Sequence, residues 1–394
     1  MVAGPTRGLL NQHPTTCGRL RKTLKLLIQP GEGVDRLIKG IKKAKKSIEI
    51  VIFRFDRDEI TRALVDAVER GVAVYALIAF TNRGGEQHLR KLEMHLLERG
   101  ITVARTAGDL VRYHGKMMLV DRKELYVLAF NLTHLDTDHS RSFGIITRNA
   151  KLVKEAGRLF DADTKRQEFV PGHSKFVVSP ANSRSVLAAF IKGARKELLI
   201  YDPKVSDRAM LRLLDERKNA DVKIRIIGHV AGGRYPARDL SRLRLHTRTI
   251  IRDRSYVFLG SQSLRQLELD ARREIGVIFR DASAITSLVR VFEEDWAASE
   301  PVDSADARKL ANLPIGKTAK KMAKIVSKNL PVEPVVKQVV KVVKQRRANG
   351  KMGQSEIEQS VKSAVRQAVR ESVKEATKSV VKGMVEEAAK PHEN

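Results

Sequence analysis

Apolar residues over the first 300 positions repeat with two periods, one typical of strands and one typical of helices. Ser47 to Phe55 and Val72 to Phe80 are rich in β-branched and apolar residues and are predicted to be strands. Helices are predicted at Val34 to Lys46, Asp58 to Arg70 and Glu86 to Arg99. Because strands and helices alternate, the pattern indicates right-handed crossovers and a largely parallel sheet.

Beyond residue 100 the pattern changes to closely spaced apolar runs. Lys116 to Val120 and Glu124 to Ala129 flank a short polar turn and predict a hairpin. A strand at Phe143 to Thr147 and a helix at Lys151 to Lys165 follow.

The second half repeats this plan. Ile41 to Ile50 aligns without gaps with Ile191 to Ile200, and Arg141 to Ile146 aligns with Arg273 to Ile278. The repeat unit is roughly 130–150 residues, too long for a solenoid repeat. Two homologous lobes usually pack about a pseudo-twofold axis, so a site on that axis takes equivalent residues from each lobe.

These patterns divide the chain into four predicted parts. They are a loosely structured N-terminal extension (1–33), a first lobe (34–168), a second lobe (169–300) and a basic helical tail (301–394). Valines at helical spacing mark one side of the tail between Val332 and Val373. The tail could bind an anionic membrane, pair with another helix, contact nucleic acid or remain a solvated helix.

The net charge of the chain indicates an anionic partner but does not identify which kind. The 75 Lys and Arg residues against 46 Asp and Glu residues give a net charge of +29. Such a surface attracts nucleic acid, anionic lipid or phosphorylated substrates. The single cysteine, Cys17, excludes an intramolecular disulfide and fits a reducing compartment. No apolar run resembles a signal peptide or a transmembrane segment, so we expect a cytoplasmic protein, free or peripheral on the inner membrane surface.

The candidate chemistry lies in one motif that occurs twice. His114 to Asp121 and His246 to Asp253 both read His-x-basic-x4-Asp. On a strand, residues two apart face the same side, so each His lies beside a cation. The cation can bind phosphate oxygens, and the imidazole can attack phosphorus or donate a proton to a leaving group. Two such pairs supply both roles, and no metal or other cofactor is predicted.

The paired motif resembles the signature of the phospholipase D superfamily, His-x-Lys-x4-Asp followed after six residues by Gly-Ser/Gly-x-Asn, over roughly residues 36–298. The resemblance implies an α/β, duplicated phospholipase D-like fold, in which two mixed-sheet lobes flanked by helices share one active site. A monomer then suffices for a complete site. The superfamily includes phospholipases, cardiolipin and phosphatidylserine synthases, nucleases and a tyrosyl-DNA phosphodiesterase.

The two copies depart from the signature at different positions. In the first copy the Gly and Ser are replaced by Leu128 and Ala129, while the second copy has Arg248 for Lys and Ser263 for Asn. The downstream acidic position, which orients a histidine in the superfamily, is Glu274 in the second half and Ser142 in the first. The resemblance implies the catalytic residues His114, Lys116, Asp121, His246, Arg248 and Asp253, the phosphate-binding residues Lys116, Asn131, Arg248, Ser261 and Ser263, and the orienting residue Glu274.

Three functions are consistent with these residues. The first is a metal-independent phosphodiesterase or phosphatidyltransferase that acts on phospholipids through a phosphohistidine, with His114 as nucleophile and His246 as general acid. The second is a nuclease or nucleic-acid phosphodiesterase that uses the same site. The third is a catalytically degenerate, phosphate-binding scaffold associated with membranes. The basic surface favours a lipid interface and nucleic acid equally, while the low aromatic content disfavours a stacking platform for single strands.

Overall fold

The computed structural model describes residues 24–80, 86–233, 235–240 and 242–302. Most of the predicted N-terminal extension, up to residue 23, lies outside the described residues. The predicted helical tail also lies outside them from residue 303 onward.

The first half forms a mixed sheet with helices on its outer face. Its elements are β1 (Leu24–Gln29), α1 (Asp35–Lys43), β2 (Ser47–Ile52), α2 (Asp58–Glu69), β3 (Ala73–Ile78), α3 (Glu86–Leu97), β4 (Thr102–Arg105), β5 (Arg112–Tyr113), β6 (Met117–Val120), β7 (Glu124–Leu128), α4 (His134–Asp138), β8 (Ser140–Thr147) and α5 (Ala150–Lys165). The strand order is β1-β8-β7-β6-β2-β3-β4. Strands β2, β3 and β4 are parallel, and the other neighbours are antiparallel.

The second half repeats this arrangement. Its elements are β9 (Phe176–Val178), α6 (Ser183–Lys192), β10 (Glu197–Val205), α7 (Arg208–Asn219), β11 (Lys223–Val230), β12 (Ala237–Asp239), β13 (Arg244–Leu245), β14 (Arg248–Arg252), β15 (Tyr256–Gly260), α8 (Gln266–Asp270), β16 (Arg272–Arg273), β17 (Ile275–Phe279), α9 (Ala282–Ala298) and β18 (Glu300–Pro301). The strand order is β18-β12-β11-β10-β14-β15-β17-β9. The predicted α/β class with two mixed sheets flanked by helices is confirmed.

The segment before residue 30 is not loosely structured throughout, and that prediction was wrong for Leu24–Gln29. These residues form β1, which pairs antiparallel with β8 over its whole length. Leu24 and Leu27 are buried, while Lys25 between them is exposed. The strand shields the edge of β8, which would otherwise present unpaired backbone groups. The first sheet therefore begins at Leu24.

The inner faces of both sheets share one hydrophobic core. Side chains from both sheets and from α5 and α9 form a single buried cluster. At its centre the ring of Tyr201 lies 5.4 Å from that of Phe143 and 5.0 Å from that of Phe292, measured between centroids. The outer faces pack separately, against α1 to α3 in the first half and against α6 and α7 in the second. The two lobes are thus joined by apolar burial rather than by a linker.

The lobes also exchange short strands. Strand β5 of the first lobe pairs in parallel with β16 of the second. In the reciprocal arrangement, β13 of the second lobe pairs in parallel with β8 of the first. Each exchanged strand leads directly into one of the two predicted histidines. The exchange therefore brings both motifs to the same boundary between the lobes.

The aspartates that end the two motifs lie at the far ends of their strands. Asp121 and Asp253 follow β6 and β14 in tight turns, with positive φ of 53° and 52°. The Asp121 carboxylate accepts backbone N–H bonds from Lys45, Lys46 and Ser47 at 2.7–3.1 Å. Asp253 repeats these bonds in the second lobe with the N–H groups of residues 195–197. Both carboxylates thus join helix, strand and hairpin, and the catalytic role predicted for them stays a prediction.

We expect Asp121→Ala to lower the free energy of unfolding by about 1–3 kcal/mol, since charge-assisted hydrogen bonds to three amides are lost. Partial burial raises the pKa of Asp121, but the amides of Lys46, Ser47 and Lys45 hold it below its ordinary value. The stabilisation is therefore present above about pH 4 and is lost as the pH falls through the lowered pKa. Urea unfolding of the wild type and the variant between pH 7 and pH 3 measures this.

The exposed helical residue Asp66 provides the control, because Asp66→Ala removes a carboxylate without this set of bonds. Equal stability of the Asp121→Ala variant and the wild type at pH 7 would contradict the assignment.

Candidate active site

The two histidines follow the exchanged strands at the boundary between the lobes, and both are almost fully buried. His114 follows β5, and its backbone N–H donates to the carbonyl of Arg273 in the other lobe at 2.7 Å. His246 follows β13, and its backbone N–H donates to the carbonyl of Arg141 at 3.1 Å. Only 7% of His114 and 8% of His246 is exposed. Each histidine is therefore positioned by backbone of the lobe to which it does not belong.

Glycine is required immediately after the first histidine. A Cβ atom on Gly115 would lie 2.5 Å from Cδ1 of Ile275, at the start of β17. This close approach lets the first motif pack directly against the strand that follows Glu274.

A carboxylate from the second lobe orients His114. Nδ1 of His114 lies 2.8 Å from Oε2 of Glu274, which is fully buried. An ionised carboxylate only accepts, so Nδ1 carries the proton and Nε2 is left with its lone pair. Nζ of Lys116 lies 3.1 Å from Nε2 and donates to the His114 carbonyl at 2.8 Å. The structure thus brings His114, Lys116 and Glu274 together.

His246 has different surroundings. Ser142 stands where Glu274 stands in the other half, and its hydroxyl has no hydrogen-bond partner among the described residues. Nδ1 of His246 is likewise buried without such a partner in the described part of the chain. Its Nε2 instead lies 3.6 Å from Oδ2 of Asp136. The two histidines are therefore equivalent in position but not in electrostatic environment.

The two unusual residues of the second motif fit each other. Nε of Arg248 donates to Oγ of Ser263 at 3.1 Å, and Nη1 donates to the carbonyl of His246 at 2.6 Å. Arg248 is longer than the lysine of the first motif, Lys116, and Ser263 is shorter than the asparagine of the first motif, Asn131. The replacements compensate in length and leave a cation beside each histidine.

Two carboxylates hold the loops that follow the hairpin strands β7 and β15. Oδ2 of Asp136 accepts from the backbone N–H and the Nδ2 of Asn131 at 2.7 and 2.6 Å. Glu268 accepts the N–H of Ser263 at 2.8 Å and contacts Arg272 at 3.0 Å. Sequence reasoning missed both acids as members of the site. The available signal was their equivalent position, since Glu268 follows Asp136 by the same 132 residues by which His246 follows His114.

Ser261, a predicted phosphate ligand, is already hydrogen-bonded within the protein. Its hydroxyl accepts the N–H of Ile275 at 3.1 Å. Burial raises the pKa of Glu274, and the charge of Lys116 and the hydrogen bond from Ser261 act in the opposite direction. Ser261 therefore lies beside the carboxylate that orients His114.

Burial keeps both imidazoles neutral in the free site. Burial lowers the pKa of His114 well below its ordinary value, and the charges of Lys116 and Arg248 lower it further. Burial also lowers the pKa of His246, with the same two cations adding to the effect. A neutral imidazole with a free Nε2 is the nucleophilic form of histidine.

A family model described as a cardiolipin synthase, phospholipase D-like domain matches residues 37–164. Mitochondrial cardiolipin hydrolase of Danio rerio is 29% identical over 120 residues, which are 30% of this chain and 52% of that protein. The chain thus spans about half the length of this relative.

Among solved structures, phosphatidylserine synthase of Haemophilus influenzae is similar with a TM-score of 0.61 and 12% identity, over 77% of this chain and 93% of that one. Polyphosphate kinase of Porphyromonas gingivalis is similar with a TM-score of 0.59 and 18% identity, over 72% of this chain and 52% of that one. At these identities the likeness shows the fold alone. The matched family model, the cardiolipin hydrolase relative and the paired motif support the phospholipase D superfamily as the family of this chain.

Proposed function

We propose that the chain is a phosphodiesterase or phosphatidyltransferase that acts on phospholipids, with His114 as the nucleophile. The observation that carries this assignment is the 2.8 Å contact of Nδ1 of His114 with Glu274, which leaves Nε2 unprotonated. Nε2 attacks phosphorus, a phosphorus–nitrogen bond forms and the bond to the leaving alcohol breaks. Glu274 stabilises the positive charge that develops on the imidazole.

His246 acts as the general acid and then as the general base. Its Nε2 gives a proton to the leaving oxygen, and afterwards takes one from water or from an acceptor alcohol that attacks the phosphohistidine. Burial keeps His246 neutral in the free site. A bound phosphate anion, together with the Asp136 carboxylate 3.6 Å away, favours the protonated form. Substrate binding thereby prepares the acid.

Lys116 and Arg248 hold the non-bridging oxygens from opposite lobes, and Asn131 and Ser263 support them. Arg248 is permanently charged, whereas burial lowers the pKa of Lys116 to about 7 and Glu274 opposes that shift. A bound anion favours the charged lysine. The reaction needs no metal in this scheme, since the two cations offset the charge of the transition state.

The surroundings of the site support a lipid substrate. His114 contacts the ring of Phe53, which follows β2, so the site lies near the carboxyl edge of the parallel strands, where α/β proteins bind ligands. Three of the exposed large apolar side chains lie in or after elements at this edge, namely Phe80, Val111 and Leu135, with exposed fractions of 40%, 60% and 49%. None of the helices in the described ranges is long and apolar enough to cross a membrane. We infer peripheral contact with a lipid surface, and the cardiolipin hydrolase and cardiolipin synthase similarity supports the same substrate class.

We expect His114→Ala to lower phospholipid turnover by about 10³-fold or more and to abolish a covalent phosphoenzyme. His246→Ala should slow turnover similarly with a poor leaving group but retain partial activity with a nitrophenyl ester, which needs no protonation to leave. Headgroup release from mixed phospholipid vesicles in EDTA, with acid-quenched trapping of the phosphoenzyme, measures both.

His229→Ala is the matched control, because His229 is 53% exposed and its nearest acid, Asp239, is 4.0 Å away. Unchanged turnover in both active-site variants would refute the assignment. EDTA-resistant cleavage of DNA or RNA that is lost with His114, without lipid turnover, would establish the nuclease alternative. If the protein neither turns over phospholipids nor cleaves DNA or RNA, the hypothesis of a non-catalytic, phosphate-binding scaffold would be favoured.

The fit between Arg248 and Ser263 predicts a non-additive double substitution. Arg248→Lys leaves Ser263 without its donor, and Ser263→Asn crowds the arginine, so each should lower kcat/KM by about tenfold. The double variant restores the lysine and asparagine of the first motif and should recover most of the loss. Additive losses in kcat/KM, measured for the two single variants and the double variant, would show that the pair does not act as a unit.

The low pKa of Lys116 predicts a pH-dependent affinity for anions. Sulfate does not change charge near neutrality, so its binding reports the protonation of the protein. We expect its affinity to fall by about tenfold per pH unit well above pH 7, because Lys116 loses its proton there. Lys116→Arg should remove this decline, as arginine stays charged. A wild-type affinity that stays constant from pH 6 to pH 9, measured calorimetrically, would contradict the prediction.

A further inference from the structure

The charges nearest the two histidines almost balance. The side chains around them include the cations Lys116, Arg244, Arg248 and Arg272 and the carboxylates Asp136, Glu268 and Glu274. With both imidazoles neutral and Lys116 protonated, these seven side chains carry a net charge of +1.

Arg54 is a further cation, which is not among these side chains. It follows β2, is exposed, and places its guanidinium carbon 6.0 Å from the ring centroid of Phe53. Nζ of Lys116 is 5.8 Å from the same centroid, and the guanidinium carbon of Arg112 is 5.4 Å from it. The Phe53 ring also meets His114 edge-on at 4.6 Å between centroids. Arg54, Lys116 and His114 therefore all lie around the ring of Phe53, and the exposed end of this group, at Arg54, is called the mouth of the site.

This arrangement is electrostatically unfavourable without an anion. Contact with the face of a ring offsets only part of the repulsion between neighbouring cations. Among the described residues, Arg54 forms no ion pair with a carboxylate. A cation held beside other cations without its own acid is typical of a site that binds a negative group.

Arg244 approaches the mouth from the other lobe. One nitrogen of its guanidinium contacts Oδ1 of Asp136, the acid that lies beside His246. Burial lowers the pKa of Arg244, the charge of Asp136 opposes this, and the charges of Arg248 and Arg54 lower it further. Arg54 and Arg244 are thus close enough to repel each other, although they come from different lobes.

We propose that Arg54 and Arg244 bind a second phosphate of the substrate, beside the scissile phosphate held by Lys116 and Arg248. The ligand class is a phospholipid or headgroup with two phosphates joined by a short linker. This assignment rests on the proposed function for the position of the scissile phosphate. It adds a binding site at the mouth, with residues from outside the paired motif.

The first test compares orthophosphate with methylenediphosphonate, a bis-anion that cannot be hydrolysed, by calorimetry. The wild type should bind the bis-anion at least about tenfold more tightly. Arg54→Gln should remove most of this preference and change orthophosphate affinity by less than about twofold, and Arg54→Lys should give an intermediate ratio. Equal affinity of the wild type for both probes, or an unchanged preference in Arg54→Gln, would overturn the proposal.

Arg280→Gln is the matched control. Arg280 is also exposed, and its guanidinium carbon lies 5.5 Å from the ring centroid of Tyr256, at the hairpin end of β15 away from the histidines. This variant should keep the wild-type preference. The assay measures binding and not turnover. A protein without catalytic activity can therefore still show the preference for the bis-anion, whereas a protein without the second phosphate site cannot.

A second arm identifies the source of the second phosphate. Bound methylenediphosphonate is displaced with dispersed cardiolipin, which has two phosphates, with phosphatidylglycerol, which has one, or with a thymidine hexanucleotide. Stronger displacement by cardiolipin than by phosphatidylglycerol, reduced in Arg54→Gln, supports the lipid. Displacement by the oligonucleotide alone would assign the second phosphate to a nucleic-acid backbone and overturn the lipid assignment.

Discussion

The contact between His114 and Glu274 is the interaction on which the active site depends. A fully buried carboxylate is costly unless other groups compensate its charge, and here Lys116 and the imidazole do so from the other lobe. Neither half of the chain can bury its part of this network alone. The exchanged strands β5 and β13 are the structural means by which the halves complete each other, because each delivers a histidine to the opposite lobe.

Duplication has produced two positions that are geometrically equivalent and chemically distinct. Glu274 in one half and Ser142 in the other give the first histidine a carboxylate at Nδ1 and leave the second without one. The pairing of Arg248 with Ser263 shows a second type of divergence, in which two replacements compensate within one lobe. A site that needs one nucleophile and one acid benefits from such asymmetry, since identical environments would give both imidazoles the same proton affinity.

Much of the fold could be predicted from local periodicity, including the hairpins of both motifs and the helices that flank the sheets. Strand β1 was missed because its pairing with β8 involves residues more than 100 positions apart, which no local pattern records. The motif predicted His114, Lys116, His246 and Arg248 correctly as neighbours. It also suggested a catalytic Asp121, which stays a prediction, and it gave no sign that this carboxylate accepts bonds from three backbone amides. Phe53 could not be assigned to the site, since a buried aromatic residue after a strand usually belongs to a core.

The distance along the chain between His114 and its orienting acid has a consequence for biosynthesis. The two residues are 160 positions apart. At ribosomal rates of about 5–20 residues per second, roughly 8 to 32 seconds separate their synthesis. During that interval the nascent first lobe contains an unpaired imidazole beside a lysine and has no carboxylate partner from the second lobe. On the proposed function, the capacity for chemistry at phosphorus therefore arises only when the second half emerges and docks.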